Sequence, residues 1–359
     1  MAKLWTDNIR EIWRNKGFDG TPNNPIVTET AKHLIKPIND VFGQAIDYDS
    51  PDYILRETLK KNVWDFSVAK NNQDNIRLNN LLLDDQGKLR SWSDFKHEAQ
   101  KVVGTSNRYL RTEYNTVVAG AQMSRLWQDI QKDKHLFPFV QFDVVEDKRT
   151  SDICEPLSDV IMSVDDPVLI NYFPPNHFNC RTTVRRLHSG VPTENYNLPD
   201  IPKAFKNNVA VTGEIFTKEN AYIANTPEIV HKNFHKRRKE EEVAKLTKWR
   251  KENIKEGGEI INDFYLSRRA VREIERHFTD IYYKHIVKDI KSILRESTFI
   301  ESKPLDKNAF NYAKKASRGV VKYEYYKFTW KQETFRLNVE VFTDGRRQPY
   351  AINLIKKGT

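Results

Sequence analysis

Cysteine is almost absent from this chain: two residues in 359. A disulfide framework of the kind that staples small secreted domains is therefore excluded. Long apolar runs are missing as well. No stretch approaches the roughly 20 residues that a membrane-spanning helix needs, and mean hydropathy is −0.71. The opening MAKLWTDNIREIWRNKGF is charged and amphipathic and has no apolar core of the secretory type. These absences predict a protein made and kept, at first, in a cytoplasm, with no membrane partner.

What is present is charge, with enough Leu, Ile, Val, Phe and Trp to build cores. Charged residues make up 30% of the chain and the net charge is +10. A basic excess favours a polyanionic partner, nucleic acid before others, although a solvated basic surface gives the same balance. The length suggests two or three domains.

Residues 1–90 read as broken helices. Trp5, Ile9, Ile12 and Trp13 fall at helical spacing, and the segment 17–25 carries turn signals. A second helix is expected from Thr28-Glu-Thr-Ala, with Leu34, Ile35, Ile38 and Phe42 on one face. A third is expected near Ser50-Pro51, with Ile54, Leu55, Leu59, Val63 and Phe66 as its apolar positions. Residues 91–131 predict one long helix opened by a capping box at Ser91-Trp-Ser-Asp94. Gly104 and Gly120 inside it either allow close packing or break it, and Arg111 and Glu113 are expected to pair with neighbours. Strands are expected up to Val145 and over 182–187. A charged helix covers 228–256, and Gly257-Gly258 ends it. From 259 on, helical spacing at Val271, Ile274, Phe278, Ile281, Ile286, Ile290 and Leu294 gives way to alternation from Val320. Thr343-Asp-Gly-Arg then marks a hairpin turn before a returning strand at 350–355.

The centre of the chain is the stretch 146–187, EDKRTSDICEPLSDVIMSVDDPVLINYFPPNHFNCRTTVRRL, where neither helical nor strand periodicity persists. Long irregular segments need something to pin them. Both cysteines are here, Cys154 and Cys180, with His177 three residues before the second. All three are zinc-type ligands, and the short His-x-x-Cys spacing lets two of them reach one ion. Asp152, Asp147 or His188 are candidates for a fourth ligand. Two reduced thiols and a histidine in a polar core remain the plainer alternative, and a disulfide between the two cysteines a third. Asp147, Arg149, Asp165, Asp166 and Arg181 predict a buried salt-bridge network rather than a catalytic set.

The stretch also carries a resemblance. Asp147, Arg149, Thr150, Cys154 and Leu157, then Asp165-Asp166-Pro167, then Pro174-Pro175, His177, Asn179, Cys180 and Arg181, resemble the Mu F-like minor head, or head morphogenesis, family of tailed phages. The helix 111–127 and the segment 205–216 are similar too, so the likeness runs over 91–222 in order. The resemblance implies a phage or prophage head protein. Its partners would be portal protein, capsid and scaffold proteins and packaged DNA. It would reside in the host cytoplasm during assembly and then inside the virion head.

The expected fold is α+β and multidomain: a mainly helical amino-terminal head-protein region with a small hairpin-bearing β core, then a helix-plus-antiparallel-sheet domain. The boundaries are 1–90 for a helical neck or docking region, 91–225 for the head morphogenesis domain, 226–258 for a charged helical linker and 259–359 for the carboxy-terminal domain. The order of elements in that last domain resembles the barnase–EndoU–colicin–RelE-like nucleases. That likeness implies metal-independent RNA cleavage, in which one group takes the 2′-hydroxyl proton, another protonates the leaving oxygen and a cation steadies the phosphorane. His277 and His285 are candidate acid and base, eight residues or about 12 Å apart along a helix. Lys322, Arg346, Thr343 and Tyr350 complete the catalytic candidates. Arg276, Lys284, Arg336 and Arg347 are the candidates for holding nucleic acid. Host RNA would be the target, after delivery to a recipient cell. The alternatives are a purely structural virion protein whose basic last domain binds nucleic acid or a partner without catalysis, and a free-standing cytoplasmic RNA-binding protein or toxin.

Overall fold

The structure is a computed structural model describing residues 1–43, 51–277, 285–307, 312–330 and 333–355. The chain forms two compact units, Met1–His235 and Lys236–Thr359. The division falls inside the charged helix that the sequence marks out as a linker.

Four long helices dominate the first unit: α1 (Ala2–Arg14), α2 (Asn24–Phe42), α3 (Pro51–Asn80) and α4 (Trp92–Asp133). Helix α2 opens earlier than Thr28. The Asn23 side chain accepts the Ile26 amide at 3.1 Å, and Pro25 occupies the first turn, where its missing N–H costs nothing. Helix α4 runs unbroken through both glycines. Its Ser91 hydroxyl oxygen accepts the Asp94 amide at 3.2 Å, as the capping box predicts. A Cβ at Gly120 would lie 3.1 Å from Ile215, so the hydrogen there lets the 215 segment approach closely. Nothing crowds Gly104.

Apolar faces of α2, α3 and α4 meet around Leu34, Ile38, Leu59, Phe66, Val117 and Phe216. Ile54, an apolar position in the helical pattern, is 60% exposed. More unexpected is the polar run of α3. Ser67, Lys70, Asn71, Asn72, Asp74 and Asn75 are all buried. Several are paired with one another or with neighbours: Asn8 to Asn75 at 2.8 Å, Ser106 to Asp74 at 2.6 Å, and Lys70 to Glu113 at 2.8 Å. Such pairing offsets the cost of burying polar groups, although the Asn71 side-chain nitrogen has no partner among the described residues.

Against α4 lies a small antiparallel sheet in the order β2-β1-β3, from Ile161–Ser163, Phe139–Asp143 and Thr183–Leu187. The sequence reading anticipates β1 and β3 but misses β2. Val140, Phe142, Met162 and Val184 pack with Met123, Trp127 and Ile130 of α4.

In the second unit, α5 (Glu228–Asn253, which begins in the first) and α6 (Arg268–His277) lead to α7 (Ile290–Glu296). The sheet has six strands in the order β4-β5-β9-β8-β7-β6: Glu259–Ile261, Phe264–Leu266, Arg347–Leu354, Glu333–Phe342, Val320–Trp330 and Thr298–Pro304. It is antiparallel except where β5 meets β9 in parallel. The hairpin β4–β5, turning at Asn262-Asp263 with both residues at positive φ, is not anticipated by the sequence reading. The core joins Phe335, Leu337, Val339 and Ile352 of the sheet to Val271, Ile274, Ile290 and Leu294. Phe278, Ile281 and Lys284 lie outside the described residues. Among the described residues, no helix is long and apolar enough to cross a membrane.

Candidate functional site

The irregular stretch is pinned where the cysteines predict. Cys154 ends a turn after Ser151, and Cys180 ends the loop that follows the cis Pro174-Pro175 bond. Both thiols are buried and unbridged. Their sulfurs lie 3.7 Å apart, and the Cys154 sulfur lies 3.1 Å from His177 Nε2. The three ligand atoms all fall within 4.8 Å of one another. A tetrahedral zinc with Zn–S near 2.3 Å would hold two thiolates about 3.8 Å apart, whereas a disulfide needs about 2.05 Å. The sulfur spacing thus suits an ion. The sulfur–imidazole distance is about 0.5 Å shorter than a shared zinc would impose and is that of a direct hydrogen bond.

His177 is oriented for either role. Its Nδ1 donates to the Phe178 carbonyl oxygen at 2.8 Å, which leaves the Nε2 lone pair facing the sulfurs, with the Ser151 hydroxyl 2.8 Å away. The Cys154 hydrogen bond, then His177 and the Asn176 amide, draw the Cys180 thiol down to about 4, while burial opposes them. Cys154 is pushed the other way, because it supplies the proton to that bond. His177 is raised, first by Cys180. These directions favour one thiolate, at Cys180, beside His177, while Cys154 keeps its proton; an ion would have to displace that proton to take both sulfurs as ligands.

None of the three candidate fourth ligands joins the cluster. Asp147 takes a two-pronged pair from Arg181, at 2.8 and 2.6 Å, and accepts the Arg149 amide at 2.8 Å, and these bonds hold its carboxyl well below the usual range. His188 bonds the Leu136 carbonyl, and Asp152 is exposed. Three protein ligands leave a fourth position for water or for the Ser151 oxygen. The acidic and basic residues do form pairs, but at the surface rather than buried, and not as one network. Asp165 binds Lys134, and Asp166 caps the turn that begins at Val168.

Residues 86–185 match the model of the family described as "Phage Mu protein F like protein". This part of the chain is similar to the Mu F-like family. The Mu F-like region thus contains α4, the small sheet and all three clustered ligands. The chain is also 28% identical over 148 residues to "Putative capsid assembly protein F" of Escherichia phage Mu, an alignment covering 38% of this chain and 34% of that protein. The chain therefore spans about a third of the length of the curated relative it matches. No solved structure matches it significantly.

The catalytic candidates of the second unit fall in different places. The side chains of His277 and His285 lie outside the described residues. Helix α6, which ends at His277, packs its Val271 and Ile274 on the apolar face of the sheet. Lys322 and Arg347 also stand on that side, at its rim, each 2.9 Å from the Glu324 carboxylate. Arg346 lies in the β8–β9 turn over Phe342, and the Thr343 amide bonds the Gly319 carbonyl. Arg276 is exposed and bridges Glu273.

Tyr350 and Arg336 occupy the other face. Strand pairing shifts between Asn338 and Val339, so that Ala351 and Pro349 face adjacent partners and Tyr350 is the extra residue of a bulge. Bulges re-aim side chains. Here the bulge sends the Tyr350 ring across to Tyr323, at 5.9 Å, under the Lys315 ammonium at 4.8 Å. Asn338 hydrogen-bonds Tyr350 and accepts from Arg336 Nε at 3.1 Å, and Arg336 in turn covers the Tyr325 ring at 5.0 Å. Beside them the buried Glu340 carboxylate holds Lys315 and, at 2.9 Å, Arg318. Burial pushes the Tyr350 phenol upward. Sequence reasoning names Tyr350 and Arg336 but misses Lys315, Arg318, Asn338 and Glu340. Strand alternation signals Asn338 and Glu340, while α8 (Tyr312–Ser317), which bears Lys315 and leads to Arg318, gives no signal.

Proposed function

We propose that the chain takes part in phage head assembly through its Mu F-like region and that its second unit cleaves RNA. The first half of this reading is carried by the family match and by the relative named as a capsid assembly protein. Portal, capsid and scaffold proteins are its partners in assembly, and the virion head is its destination, from which the second unit would reach a recipient cell.

The second half rests on one observation: a cation, a half-buried phenol and two tyrosine rings tilted against each other share the polar face of a sheet. In such a site the ribose 2′-oxygen bonds to phosphorus and the bond from phosphorus to the 5′-oxygen breaks. Tyr350, which keeps its proton at neutral pH, supplies it to the departing 5′-oxygen. Arg336 offsets charge on the phosphorane, and the 2′ proton passes to solvent. His277 and His285 belong to segments that feed the opposite, apolar face, so the two sets define rival centres.

A binding module without catalysis is favoured by one feature, the engagement of Lys315 and Arg318 with buried Glu340. Total RNA incubated in EDTA with the full chain separates these readings. Cleavage lost in Tyr350→Phe/Arg336→Gln, but kept in His277→Ala/His285→Ala, assigns the reaction to the polar face. The reverse pattern assigns it to the histidines. No cleavage by the parent chain removes the RNase and leaves the binding module.

A further inference from the structure

Beside the thiol–imidazole cluster, α4 and the 176–181 loop enclose an open cleft of about 710 Å³. Its lining includes Arg108, Arg111, Arg149 and Arg181 together with Asn115 and Gln122 and, among the described residues, no carboxylate. The α4 residues recur at positions three to four apart, so they form one stripe of the helix. Asn179, at positive φ, ties the loop to that stripe: Asn115 donates to its side-chain oxygen at 3.0 Å, and it donates to Thr112 at 3.4 Å. The Cys180 wall therefore stays beside the arginines.

The arginines are largely available. Arg108 and Arg111 are exposed, and neither forms an ion pair with a carboxylate among the described residues. Arg149 touches Asp147 only at 3.5 Å. Arg181 is the one that is firmly paired, through Asp147. From Arg108 to Gln122 the stripe extends about 21 Å at 1.5 Å per residue. A row of donors that long suits an anion whose charges repeat along a backbone, and the planar guanidinium fork matches phosphate oxygens.

We propose that this cleft binds the phosphodiester backbone of a nucleic-acid strand. The claim rests on the cleft alone and stands whether or not the second unit cleaves RNA. It is read with a short fluorescein-labelled single-stranded DNA, which has no 2′-hydroxyl to attack. Anisotropy titrations with the full chain are run over a range of salt. Arg108→Gln/Arg111→Gln is expected to weaken binding about tenfold and to flatten the slope of log affinity against log salt by about 1.4, or 0.7 per lost phosphate contact. Lys3→Gln/Arg14→Gln, exposed on α1, removes the same charge elsewhere and is expected to leave both close to the parent values. Circular dichroism confirms that each variant is folded. Equal losses in the two double variants, or none in the first, overturn the proposal. So does polyglutamate that displaces the DNA at matched charge, which would make the cleft a seat for acidic protein. Arginine-dependent calorimetric binding of inorganic phosphate without strand binding would assign it to a free phosphoryl group and overturn the strand.

Discussion

Two thiols and an imidazole share a few ångströms of protein interior, and a proton or a metal must settle their charge. The geometry of Cys154, His177 and Cys180 accommodates either: the 3.7 Å sulfur spacing fits shared coordination as well as the thiol hydrogen bond. We expect the purified chain to carry about one zinc per molecule by mass spectrometry of the metal. Cys154→Ser and Cys180→Ser should each lose it, and a chelator should lower the melting temperature of the first unit by several degrees. A metal-free parent whose melting ignores both zinc and chelator would leave the cluster as hydrogen-bonded thiols. The His-x-x-Cys spacing makes two of the three residues legible in sequence, and the scarcity of cysteine supplies the third. The candidate fourth ligands are misread because Asp147 finds a stronger partner in Arg181, a choice made by the folded loop rather than by spacing.

Helix α3 shows where element-level patterns mislead. Its run KNNQDNIRLNN is polar on every side, which ordinarily marks a solvated helix, yet most of it is buried. The partners come from two other helices: Asn8 of α1, and Ser106 and Glu113 of α4. No local pattern records them. Capping at Ser91, the Asp-Gly turn and the alternation of β7 were legible because each is fixed by residues adjacent in sequence. The bulge at Tyr350 was not, since it is a mismatch between two strands. Within the polar seam, burial alone would lower the Lys70 pKa, but Glu113, Tyr222 and Asp74 more than offset that. Glu113→Ala would strand the ammonium, with 5% of its side chain exposed, and should cost about 3–5 kcal/mol in urea unfolding. Lys70→Met/Glu113→Leu, which removes both charges, should cost far less. A double variant as unstable as the single one would show that the seam depends on the charges themselves.

At the scale of the whole molecule, the division at His235–Lys236 assigns a core to each unit. One is built on Leu34, Leu59, Phe66 and Val117, the other on Leu266, Ile274, Leu337 and Ile352. Helix α5 serves both, giving Phe234 to a cluster with Val27 and Val68 and Leu246 to the second core. Separate cores imply separate cooperative transitions, because cooperativity follows shared packing. Calorimetry of the full chain should therefore resolve two unfolding steps. Leu337→Ala, at a fully buried sheet position, should lower one of them by about 2–5 kcal/mol, and Leu59→Ala the other by a similar amount. Zinc removal should move only the step that Leu59→Ala moves, since all three ligands belong to that unit. If either leucine variant shifts both steps together, the continuous α5 helix couples the units into one folding body, and the second unit could not act as an independent passenger of the Mu F-like region.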